Sequence, residues 1–206
     1  MILKGRNLVS QNETITKERI LKTAIRLLLK TSAESLTTRK IAAEAGVNIA
    51  AIHYYFQTKD ALIAEAYTAA TDIGFTHAME IFARKDLSAR DRAAQFLQGY
   101  AIGIVDYPNI SRAGFSGMIF AEKASARFSK YLGQIFEALR ETFREMGETD
   151  EKACAGKVMA ALSSIILPFL FMGAFGGISG IEYSDRAERD RYIELLVDAL
   201  GGKIKE

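Results

Sequence analysis

The side chains able to read another molecule by patterned hydrogen bonds gather in one stretch, Leu36 to Tyr67, LTTRKIAAEAGVNIAAIHYYFQTKDALIAEAY. The chemistry available there is recognition rather than catalysis. The Arg39 guanidinium can pair with guanine O6 and N7, a contact worth about 1–3 kcal/mol of discrimination. Ile49, Ala50 and Ala51 offer apolar contact only, for example to thymine methyls. Catalysis would need a cluster of nucleophile, base or ligand groups. The chain holds two histidines, His53 and His77, and one cysteine, Cys154. Carboxylates such as Asp106 and Glu122 are scattered, and no GxGxxG, phosphate-loop, HExxH, CxxC or GxSxG pattern occurs. No catalytic residue, metal ligand or cofactor is predicted.

The elements that must position these side chains follow from local signals. Thr37 can accept from an unpaired amide of a first turn, which starts a short helix carrying Ile41 and Ala45 inward. Gly46 suits the left-handed position that ends it, and Asn48 is a good N-cap for a second helix over Ile49 to Tyr55. Two short helices joined by so tight a connection form a helix-turn-helix. The second helix of such a pair enters the DNA major groove, which brings its first turn, Asn48, Ile49, Ala50 and Ala51, nearest the bases.

TTRKIAAEAGV, a short helix ending in YYF, and then TKDAL resemble the TetR family of bacterial one-component transcriptional regulators. The resemblance covers roughly Thr16 to Tyr67. It implies phosphate contacts from Thr38, Tyr54, Tyr55 and Lys59. His53 stands where many members have tyrosine, and its imidazole can still donate a hydrogen bond. The family also implies a double-stranded, palindromic operator as partner and a small-molecule effector whose binding releases the DNA. It further implies a homodimer formed through the helices within 149–176 and 185–200.

Composition agrees with a helical regulator. About half of the 206 residues are apolar, only two prolines occur, and amphipathic runs dominate, which predicts an all-α fold of about nine helices. Residues 1–60, the expected DNA-binding domain, hold ten Lys and Arg against five Asp and Glu, a net of +5; residues 61–206, the expected ligand-binding and dimerisation domain, hold 17 against 20, a net of −3. Phosphates attract the basic segment whatever the DNA sequence. The single cysteine excludes an internal disulfide and fits a reducing cytoplasm; Cys154 reads as a small apolar helix residue.

Along the chain, Met1 to Glu13 is expected to be an irregular arm. Helices follow over Thr16–Thr31, Lys59–Arg84 with Thr58 as its cap, Ala89–Val105 with Ser88 as its cap, Asn109–Phe120, Glu122–Met146, one capped by Thr149, and Asp185–Leu200. Val158 to Ile181 runs 24 residues without a charge, long enough for a bilayer. Pro168, four glycines and three serines interrupt it, so a helix wedged between its own core and an identical subunit, followed by a glycine-rich turn, is the favoured reading, with no membrane partner. Phe82, Phe96, Tyr100, Phe115, Met118, Phe120, Phe128, Tyr131, Phe169 and Met172 are aromatic and methionine side chains able to line an effector cavity as well as to fill a core. Asp106, Arg112 or Glu122 could orient a polar effector, and the charge of that effector stays open. A helical module that binds a protein or a membrane without specific DNA binding is the rival reading.

Overall fold

The computed structural model describes residues 2–111 and 126–202. Among the described residues there are nine α-helices, one 3-10 turn and no strand. The chain divides into two compact units, residues 1–73 and 74–206.

Unit 1 holds α1 (Ile2–Leu28), the 3-10 turn Ala33–Ser35, α2 (Thr38–Ala45), α3 (Ile49–Phe56) and the first part of α4 (Lys59–Ala83). Ile20, Ala24, Leu27 and Leu28 lie three or four positions apart, so they share one face of α1. They pack in one core with Leu36, with Ile41, Ala42 and Ala45 of α2, with Ile52 and Phe56 of α3, and with Leu62, Ile63 and Ala66 of α4. Each large aliphatic side chain fully buried in such a core contributes about 1.5–3 kcal/mol relative to exposure.

Unit 2 contains α5 (Ala89–Asp106), α6 (Ala126–Glu145), α7 (Glu151–Leu170), α8 (Met172–Ser179) and α9 (Arg186–Gly201). The α7 helix packs against α5, α6 and α9. Its Cys154, Val158, Ala161, Leu162, Ile165 and Phe169 recur at helical spacing and are all buried. By length and composition α7 could cross a membrane, yet these residues belong to the core that also takes Leu97 and Ala101 from α5, Leu139 and Phe143 from α6, and Ile193 and Val197 from α9.

Several boundaries differ from the sequence reading. The backbone is helical from Ile2 rather than from Thr16, because extending a packed helix adds one hydrogen bond per residue fixed and needs no new nucleus. Asp150, not Thr149, caps α7: its carboxylate accepts from the Ala153 amide at 2.7 Å. The segment after Phe171 is not a glycine-rich turn but α8, closed by Gly180 at φ 71°. Phe171, at φ −117° and ψ 40°, separates α7 from α8 and so divides the uncharged run. Pro108 follows the end of α5, and residues 108–111 turn helically again; the rest of the expected Asn109–Phe120 helix, with Phe115, Met118 and Phe120, lies outside the described residues, as do Arg112 and Glu122.

Cys154 is fully buried, and its thiol sits 3.7 Å from the Glu148 carbonyl. Burial, then the charges of Glu148 and Glu151, push the thiol above its ordinary range. A thiol held neutral and out of water does not react. Ellman's reagent should therefore titrate one thiol only after denaturation; prompt modification of the native protein would contradict this burial.

Candidate nucleic-acid interface

The interface is built from short-range hydrogen bonds. The Thr37 hydroxyl accepts from the Lys40 amide at 3.2 Å and so fixes the start of α2. At the other end Gly46 adopts φ 64°, ψ 40° and donates back to Ala42 and Ala43, while the Val47 amide reaches the Ala42 carbonyl at 3.0 Å. This left-handed closure satisfies the last carbonyls of the helix, and a side chain at Gly46 would strain it. Asn48 then caps α3, its carboxamide oxygen accepting from the Ala51 amide at 2.8 Å.

Because Ile52 and Phe56 point into the core, the opposite side of α3 is left to solvent. Asn48, Ile49, Ala50, His53 and Tyr54 are exposed, and Ala51 and Tyr55 are half-buried. The rings of Tyr54 and Tyr55 meet edge to face with centroids 4.9 Å apart. On α2, Thr38 is half-buried and Arg39 and Lys40 are exposed. Among the described residues neither cation has an ion-pair partner, so both are free for an external anion. Glu44, the carboxylate of α2, is bound by Arg26 at 2.9 Å, and that guanidinium holds the carboxyl below its usual range. The charge left to α2 is therefore positive.

Lys59 is half-buried at the start of α4, where its ammonium donates to the Ala33 carbonyl at 3.4 Å. Thr58 caps this helix by accepting from the Ala61 amide at 3.0 Å. The Glu34 carboxyl beside it is held below its usual range by its own backbone amide and Ser32, and less by Lys59. A phosphate reaching Lys59 must compete with one carbonyl, a weak competitor for a cation that prefers an anion.

Two features of this face escaped the sequence reading. Lys40 adds an exposed cation next to Arg39, and the signal was its position one residue on in a short amphipathic helix. Gln57 sits at φ 65°, ψ −52°, and the Thr58 amide closes on the Phe56 carbonyl at 2.7 Å. These are the angles and bond of a strained γ-turn, which a glutamine does not announce.

The expected effector residues fall into separate groups in unit 2. Phe82, Phe96 and Tyr100 form one aromatic series, with centroids 4.9 Å and 5.9 Å apart. Burial pushes the Tyr100 hydroxyl up to about 12. Tyr131 stacks on Phe75 at 4.0 Å, and Phe128 is half-buried on the same helix. Phe169 lies against Tyr183 at 5.1 Å. Phe169 and Met172 border a cleft of about 230 Å³ that Ile104, Pro108, Ser111 and Phe171 also line. Among the described residues no group of three or more His, Cys, Asp or Glu could hold a metal ion.

Residues 20–66 match the family model described as bacterial regulatory proteins, tetR family. About nine-tenths of the chain shares its fold with solved structures of transcriptional regulators. A tetR-family regulator from Streptomyces coelicolor is 16% identical, with 91% of this chain and 80% of that one covered at a TM-score of 0.61. A transcriptional regulator from Cytophaga hutchinsonii is 15% identical, with 89% and 95% covered at 0.65. A hemolysin II transcriptional regulator is 23% identical, with 93% and 99% covered at 0.54. Comparison with curated proteins gave no match. The matched N-terminal domain is that of a DNA-binding regulator, and the all-α fold is one that solved transcriptional regulators share.

Proposed function

We propose that the chain, whose residues 20–66 are a tetR-family DNA-binding domain, is a cytoplasmic, homodimeric repressor that leaves a palindromic operator when a small molecule enters unit 2. The observation that supports this reading most is the exposed first turn of α3, capped by Asn48 and held by Ile52 and Phe56, beside the unpaired Arg39. Asn48, Ile49, Ala50 and Ala51 would face base edges; Thr38, His53, Tyr54, Tyr55 and Lys59 would hold phosphates. Arg39 would read a guanine. No cofactor or chemical step is involved.

Dimerisation would use the helices within 149–176 and 185–200. Met159, Leu167, Phe171, Phe175, Ile178 and Leu195 are large apolar side chains exposed on α7, α8, α9 and the joint between the first two, as an oligomer face requires. The two-state element is α4, which starts at the helix-turn-helix and continues into unit 2. A tilt of α4 would change the separation of the two α3 helices, which must match half-sites about 34 Å apart or a multiple of that turn. The effector would lie among Phe82, Phe96, Tyr100, Phe128, Tyr131, Phe169 and Met172, with Phe115 and Met118 beyond the described residues.

An electrophoretic shift with DNA flanking the protein's own gene, run against competitor DNA, tests the reading. Only nonspecific, salt-sensitive binding would leave the rival interaction module in its place. Within that experiment Arg39→Ala should lose about 1–3 kcal/mol of preference for operator over scrambled DNA, whereas Lys59→Ala should weaken both DNAs alike and flatten the salt dependence. An unchanged specificity ratio in Arg39→Ala would remove it as a base reader.

A further inference from the structure

The His53 ring Nδ1 lies 3.1 Å from the Gln57 carbonyl oxygen. A carbonyl oxygen only accepts, so Nδ1 carries the hydrogen. The γ-turn at Gln57 turns that carbonyl back toward α3, and the tautomer is therefore set by the backbone at the end of the helix. In the neutral ring Nε2 then holds a lone pair, and among the described residues it has no partner. A lone pair cannot bond a phosphate oxygen, which also only accepts. A tyrosine hydroxyl at this position would meet a phosphate at any ordinary pH; His53 meets it only as the imidazolium, whose Nε2–H donates with a full charge.

We propose that His53 is a proton-coupled phosphate contact: each protomer takes up one proton at Nε2 as DNA binds, so operator affinity rises as pH falls. The inference rests on the DNA-binding reading above. The surroundings leave the anion to come from the DNA. The α2 helix, packed on α3, carries Arg39, Lys40 and Glu44, the last paired with Arg26 of α1. From α1, Lys17 lies over the Phe56 ring at 5.3 Å and pairs with Glu65 of α4 at 3.0 Å. The α3 helix adds Tyr54 and Tyr55, and the first turn of α4 adds Lys59 and Asp60. A DNA phosphate at Nε2 supplies the anion that an imidazolium N–H bonds. Uptake therefore belongs to the complex.

The test is operator affinity, by fluorescence anisotropy at fixed ionic strength, across about pH 8 to pH 5, the interval in which histidine changes charge. Wild-type protein should tighten about tenfold per His53 contact over that range, the size of a charge-assisted hydrogen bond. His53→Gln and His53→Tyr, whose donors do not titrate there, should give flat profiles, with Tyr near the wild-type affinity of low pH. The chain's other histidine, His77, lies in unit 2 beside Glu80 at 3.7 Å, and His77→Gln should keep the wild-type slope. A His53→Gln profile as steep as wild type overturns the proposal while leaving specific DNA binding intact. Absence of specific binding at every pH would instead overturn the DNA reading and this inference together. Circular dichroism of each variant confirms that α3 is folded.

Discussion

Replacing Phe56 by alanine is expected to destabilise unit 1 by about 3–5 kcal/mol and to abolish specific DNA binding at ordinary protein concentrations. Phe56 is 4% exposed at the last turn of α3 and packs in the same core as Ile20, Ile41, Ile52 and Leu62. The truncation removes most of a buried ring, and the surrounding helices cannot collapse fully into the space. It also removes the face beneath the Lys17 ammonium, a contact worth about 0.5–1 kcal/mol at an exposed site. Since a whole domain is stable by only about 5–15 kcal/mol, the loss takes a large share of what holds α3 in place. Phe56 does not touch solvent in a way that could read DNA, so loss of binding would report loss of positioning. Phe56→Leu separates the two: it should cost about 1–1.5 kcal/mol and retain binding. Urea titration followed by α3 amide exchange measures both variants. An alanine variant within about 1 kcal/mol of wild type would mean that α3 is held by something other than this core.

The features that were legible in the sequence are those decided within a few residues. Thr37, Gly46, Asn48, Thr58 and Ser88 each act on an amide or a dihedral in their own turn, and each caps or closes a helix where its residue type indicates. Thr149 and Asp150 are both good caps and adjacent, so residue type alone could not choose; the helix start at Glu151 selects Asp150. The α8 segment, MGAFGGIS, has glycines that disfavour a helix and no charge to mark its faces, so its helicity could not be read from propensity. The bond between His53 and Gln57 needed a positive φ at a residue that seldom takes one. Arg92 shows the same limit at longer range. It is buried, donates to the Arg84 and Leu87 carbonyls and pairs with Glu145, which lies 53 residues on.

Lys157 is a second case of this kind, and its removal carries the second large effect. In the sequence it precedes an uncharged run and reads as a polar position; in the fold it is 5% exposed. Its ammonium binds the Glu148 carboxylate at 2.9 Å and donates to the Gly202 carbonyl at 2.9 Å, which ties the start of α7 to the end of α9. Removing the buried lysine leaves the half-buried Glu148 carboxylate without its cation, which destabilises the fold. Here the Thr149 and Asp150 amides also donate to Glu148 at 3.0 Å and 3.1 Å, which softens the loss but leaves Lys157→Met clearly less stable than wild type at neutral pH. The pH dependence identifies the cause. The hydrogen bond from Lys157, then the backbone amide of Asp150, hold the Glu148 carboxyl below its usual range. A depressed folded value stabilises the native state above the carboxylate's ordinary range, and that stabilisation is lost as pH falls through the folded value. Without Lys157 the carboxyl of the variant should titrate higher, so the gap in urea midpoint between wild type and Lys157→Met should narrow as pH drops below the ordinary carboxylate range. A gap that stays constant down to full protonation would assign the destabilisation to lost packing of the lysine stem and the Gly202 bond, and not to the ion pair.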